Sequence, residues 1–131
     1  MDPALGDYRV PLGNRSASKT LRTLARGTRL NLPDTNTLRF FIWWKNGRGR
    51  TDLDLSAAFY DSRFRFIDTV SYYNLKNFGG HHSGDIVDAP NGAAEFIDVD
   101  VAKTTSKKVR YVMMVVTSFT TQPFHELPEC F

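Results

Sequence analysis

Oxygen donors are the chemically promising residues of this chain. Asp52-Leu53-Asp54 sets two carboxylates two positions apart. In a β-strand such residues project from one face, about 7 Å apart along the chain, close enough to share an ion. Asp85, Asp88, Asn91 and Glu95 supply further oxygens from a glycine-bearing stretch. Hard oxygen donors in a pliable loop suit calcium, which takes six to eight oxygens at about 2.3 to 2.6 Å, better than zinc or the stricter magnesium. The same residues also admit a plainer reading, with Asp52 and Asp54 facing solvent and Asp85 and Asp88 forming turns.

His81-His82 beside Asp85 raises transition-metal binding or general-base chemistry as an alternative. Adjacent residues of an extended chain point in opposite directions, so the pair is poorly placed to chelate one ion. A hydrogen-bonded His82 and a surface His81 is the preferred reading. No Gly-x-Ser-x-Gly, His-Glu-x-x-His or phosphate-loop pattern occurs, and Ser83 next to His82 lacks a defined third partner. Catalysis is therefore not expected.

The formal charge of +3 conceals a polarity: residues 1–50 hold 10 Lys and Arg against 3 Asp and Glu, and residues 51–131 hold 7 against 11, or +7 and −4. Arg9, Arg15, Lys19, Arg22, Arg26 and Arg29 could track phosphates, with Tyr8 stacking on a base. They are scattered rather than packed into a run, and aromatic interleaving is nearly absent. A solvated or protein-packed arm is preferred over nucleic-acid binding.

These residues need a scaffold, and the pattern asks for strands. Residues 38–45 alternate Leu38/Phe40/Ile42/Trp44 against Arg39/Phe41/Trp43/Lys45 and stop at Asn46-Gly47. With aromatics on both faces, this strand is expected in the middle of a sheet. Residues 52–60 alternate Leu53/Leu55/Ala57/Phe59 against Asp52/Asp54/Ser56/Ala58, and residues 66–75, 95–101 and 109–119 extend the pattern. The last run is so continuously apolar that it is expected at the centre of a sheet, buried on both faces. Residues 28–32 read as a strand piece within a segment, 19–32, that also admits a short helix. Residues 76–94 read as one long acidic, glycine-rich connection, a length usual for functional loops.

About seven strands without helical crossovers predict an all-β fold, a two-sheet β-sandwich, with residues 1–28 as an N-terminal arm and 29–131 as the domain. At 131 residues, one domain is the expectation. Cys130 is the only cysteine, so an internal disulfide framework is excluded. No apolar run approaches the length of a membrane span and residues 1–7 do not read as a signal peptide, so a cytoplasmic protein is expected.

The order of motifs resembles a known family. Asp52-Leu53-Asp54 opens a small-residue strand (Ser56-Ala57-Ala58), then come Tyr73-Asn74, His82-Ser83-Gly84-Asp85 and Gly92-x-x-Glu95 before a strand, with Trp44 ahead of the first motif. Over residues 29–120 this resembles the tellurite-resistance TerD family of bacterial stress-response domains. The resemblance implies a β-sandwich that binds calcium through acidic loops at one end, without catalytic activity, in proteins tied to tellurite, chemical and phage stress. The implied ligands are Asp52, Asp54, Asn74, Asp85 and Glu95. Ile86 stands where the family has an asparagine, and Ala93-Ala94 where it has an Asp-Asp pair. Each change removes oxygen donors, leaving Asp88 or Asn91 to compensate and implying one ion or weaker binding.

The expectation is a calcium-binding, non-enzymatic stress-response module with a calcium ion and other proteins as its partners. A metal-free interaction domain that has lost ligands, and a metal-dependent hydrolase using His82 with Asp52 or Asp85, are the alternatives. The stop at Pro128-Glu129-Cys130-Phe131 further suggests that strand sequence normally follows this end.

Overall fold

The computed structural model describes residues 27, 29–32 and 34–131. The chain divides into two compact units, Met1–Asp34 and Thr35–Phe131. The expected arm and the possible helix at 19–32 lie almost wholly outside the described residues. Residues 29–32 are exposed and are not a strand, which corrects the reading of residues 28–32 at those positions.

The second unit is all-β, built from β1 (Thr37–Trp44), β2 (Leu53–Tyr60), β3 (Phe66–Val70), β4 (Lys76–Asn77), β5 (Gly80–His82), β6 (Ala93–Asp100) and β7 (Tyr111–Ser118). Two antiparallel sheets form, in the orders β1-β6-β5-β4 and β3-β2-β7. Between them lies a core in which Ile42, Trp44, Leu53, Leu55, Ala57, Phe59, Val70, Ile97 and Val99 are buried. The alternation of β2 is realised: Leu53, Leu55, Ala57 and Phe59 are all fully buried. Period-two patterning thus decides which face of β2 enters the core.

Four further sequence readings are overturned. Residues 76–94 are not one structureless connection, because β4 and β5 form a tight hairpin there, with Lys76 opposite His81 and Asn77 opposite Gly80. Its two central residues, Phe78 and Gly79, both take positive φ, 48° and 89°, the primed turn whose twist matches that of paired strands. Gly79 is required at its position, since a Cβ would lie 2.8 Å from Thr104 Oγ1. A short helix, α1 (Val101–Ser106), was also not expected; the Asp100 side chain caps it by accepting from the Lys103 amide at 2.9 Å.

The third correction concerns β7, which pairs only with β2 and lies at an edge of the three-stranded sheet. Met113, Met114 and Val115 are 54%, 36% and 38% exposed, so this strand is not buried on both faces. β1 likewise ends its strand order rather than sitting inside it. Part of its free edge is taken by the C-terminal residues: Trp43 N donates to Phe131 O at 2.7 Å, and Lys45 N to Glu129 O at 3.0 Å. Cys130 is a free, exposed thiol there.

Candidate metal centre

The acidic end of the sandwich is assembled around Asn46, the residue just past β1. Its Oδ1 accepts from Thr51 N at 3.1 Å and from Ala89 N at 2.9 Å, while its Nδ2 donates to Asp88 Oδ1 at 2.7 Å. The Trp44 indole donates to Thr51 O at 3.0 Å, and the Asp52 amide donates to Thr120 Oγ1 at 3.2 Å. One asparagine thereby ties the entry of β2 to the loop between β5 and β6, and Asp85 comes beside the start of β2. Gly92, with φ of 90°, ends that loop against the Trp43 indole, which occupies the space a Cβ would need.

The result is a convergence of three carboxylates. One oxygen from each of Asp52, Asp54 and Asp85 lies within 4.8 Å of the other two. They form a gradient of depth, with Asp52 buried, Asp54 half-buried and Asp85 exposed. The Asp52 Oδ1 atom is buried and has no hydrogen-bond partner among the described residues. Its Oδ2 is 3.7 Å from Arg50 Nη2, an ion-pair contact too long for a hydrogen bond. Burial, followed by the charge of Asp85, pushes the Asp52 carboxyl above the usual range, and burial with the charges of Asp52 and Asp85 does the same to Asp54.

Glu95 lies beneath this group and is buried. Its Oε2 accepts from Leu55 N at 3.1 Å and its Oε1 from Ile86 N at 2.9 Å, so it clamps the strand carrying Asp54 to the loop carrying Asp85. Burial raises its pKa to about 7, against the opposing pull of those two amides. His82 is equally deep: Nδ1 accepts from the Gly84 amide at 3.0 Å, which leaves the ring proton on Nε2, 3.0 Å from Leu55 O. Both ring nitrogens are thus engaged by backbone groups, and Nε2 lies 3.6 Å from Glu95 Oε2.

Of the residues proposed from sequence, Asp52, Asp54 and Asp85 converge, with Glu95 supporting them from below. Asp88 is exposed and engaged by Asn46 rather than joining the three. Asn74 closes the turn after β3: its side-chain amide donates to Thr69 O at 2.6 Å, and its backbone pairs with Ser71. Ile86 packs half-buried against the core, so an apolar contact stands where an oxygen donor would enlarge the site. Sequence reasoning missed Asn46 as the organising residue, reading Asn46-Gly47 only as a strand stop. It also missed Arg50, whose placement two residues before Asp52 was the available signal.

No known family model, curated protein or solved structure matches this chain. The chemistry of the site therefore rests on its own geometry.

Proposed function

We propose that this chain is a calcium-binding, non-enzymatic module whose ion is held by Asp52, Asp54 and Asp85, with Glu95 bracing the ligands. The observation that carries the reading is Asp52 Oδ1, a buried carboxylate oxygen without a hydrogen-bond partner among the described residues, at the inner end of a carboxylate triad. A buried unpaired acceptor costs about 1–3 kcal/mol, more when charged, and a cation is the group that would satisfy it. All three donors are hard oxygens and no cysteine or histidine joins them, which favours calcium over zinc. A triad graded from buried to exposed also suits calcium's tolerance of irregular geometry better than the near-octahedral demand of magnesium.

The wider role in tellurite, chemical or phage stress belongs to the same proposal and is supported by the motif resemblance alone. A hydrolase reading is weakened by His82, whose two ring nitrogens are both committed to backbone groups. The test is a thermal melt in chelator, then with calcium or magnesium. Calcium at a hundredfold above its dissociation constant stabilises the native state by about 2.7 kcal/mol. Magnesium should do less, and Asp85→Ala should abolish the calcium effect. An unchanged wild-type melt would favour a metal-free interaction domain.

A further inference from the structure

The end of the sandwich remote from the carboxylates has the opposite character. β2 leads from Asp54 at the metal centre to Tyr60, about 20 Å away by the strand rise. There the β2–β3 turn meets the start of β7, with Arg110 N donating to Tyr60 O at 2.8 Å. The segments joined at this point, residues 61–66 and 101–111, contain Arg63, Arg65, Lys103, Lys107, Lys108 and Arg110 but only one carboxylate, Asp61. Asp61 is occupied by Arg65 at 2.7 Å, and Asp100, immediately before the second segment, pairs with Lys103 at 3.4 Å.

The turn is firmly built. Asp61 Oδ1 accepts from the amides of Arg63 at 2.8 Å and Arg65 at 3.0 Å, Phe64 N donates to Asp61 O at 3.1 Å, and Asp61 N donates to Arg65 O at 3.0 Å. Such a three-residue hairpin loop ends in a left-handed residue, a position suited to glycine. Phe64 occupies it here, with φ of 57°. A bulky side chain in that region is sterically disfavoured, and the fold does not hide it: Phe64 is 66% exposed and stacked on Tyr111 at 4.0 Å between ring centroids. Phe66 is 59% exposed and meets Tyr60 edge-on at 5.8 Å. From Tyr111 the same face of β7 continues through the exposed Met113 and Val115.

We propose that this end of the sandwich docks on an anionic lipid surface, with Phe64 and Phe66 entering the interfacial layer and Arg63, Lys108 and Arg110 meeting the headgroups. Charge complementarity decides the class of partner, because Arg63, Lys107, Lys108 and Arg110 remain once Arg65 has paired with Asp61 and Lys103 with Asp100, and these four cations attract an acidic surface and repel a second copy of the same end. The apolar composition decides between anionic partners. Arg63-Phe64-Arg65-Phe66 alternates cations with rings as a polynucleotide site would, but Phe64 is already stacked on Tyr111, and the face continues through Met113 and Val115, which have no ring to stack and match an acyl boundary.

The experiment is sedimentation of the full chain with phosphatidylcholine vesicles, with and without phosphatidylserine, in chelator. The protein should bind only the anionic vesicles, and binding should weaken as salt rises. Arg63→Glu should weaken it by about tenfold. Phe64→Gly should weaken it while raising the melting temperature, since glycine accepts the left-handed φ without strain. Asp85→Ala, altered at the other end, should bind as the wild type does. Absence of binding to anionic vesicles at low salt would overturn the proposal, as would binding indifferent to both Arg63→Glu and Phe64→Gly. Binding of oligothymidylate without vesicle binding, lost in the same variants, would assign the surface to nucleic acid instead. Vesicle binding that requires calcium and disappears in Asp85→Ala would move the contact to the metal centre.

Discussion

Replacing Asp52 by asparagine keeps the shape of the side chain and removes the most deeply placed negative charge of the triad. Two unit charges at 4.8 Å, the limit that encloses the three oxygens, repel by about 3.5 kcal/mol at an effective dielectric constant near 20. Asp85 is exposed, so its repulsions fall toward the bulk-water value of about 1 kcal/mol. The Asp52–Asp54 pair lies deeper and retains more of the full figure. Against this relief stands the loss of the Arg50 contact, a pair at 3.7 Å with an exposed arginine, worth under about 1 kcal/mol. In chelator, Asp52→Asn should therefore be more stable than the wild type by about 2 kcal/mol, or about 10 °C in melting temperature for a unit of this size. In calcium the order should reverse, because the variant has lost a ligand. The assay is a pair of melts for each protein, in chelator and in calcium. An Asp52→Asn protein less stable than the wild type in chelator would refute the reasoning, since it would mean that the ionised carboxylate stabilises the fold without a cation.

The Glu95 carboxyl, raised by burial to about 7, gives the metal-free protein a definite pH profile. A carboxyl whose folded pKa lies above its unfolded value stabilises fully below the unfolded value, near 4.5, and loses that contribution as pH rises through about 7. The loss amounts to about 3 kcal/mol, so melts in chelator should fall between pH 5 and pH 8, and a flat profile would exclude the shift. Val115→Asp should remain soluble and melt cooperatively within about 1 kcal/mol of the wild type, because Val115 is 38% exposed on an edge strand; failure to fold would show that this face is covered. Gly92→Ala should destabilise by more than about 1 kcal/mol, combining a left-handed φ with a clash against Trp43; a neutral melt would show that the loop shifts freely.

Much of the fold was legible because β2 and the inward face of β1 follow strict alternation, and burial follows alternation. The edge position of β7 was not legible. Its sequence shows that both faces are apolar, but a strand's pattern does not record how many neighbours it has. The hairpin of β4 and β5 escaped notice because strands of two and three residues carry too few side chains to show a period, and Phe78 holds a positive φ where glycine or asparagine would have signalled the turn. α1 escaped because six residues make too little helix for a moment to emerge, leaving only its cap at Asp100 as a sign. At the site, Asp52, Asp54 and Asp85 were readable by residue type and spacing. The separation of Glu95 beneath them, and the diversion of Asp88 to Asn46, depend on three-dimensional partners that spacing does not encode.

Calorimetric titration of the chelator-stripped chain with calcium tests the central claim most directly. The account predicts one saturable site, bound more tightly than magnesium and lost in both Asp52→Asn and Asp85→Ala. Calcium binding that survives in both variants would place the ion elsewhere, and the absence of any binding would contradict the calcium reading altogether.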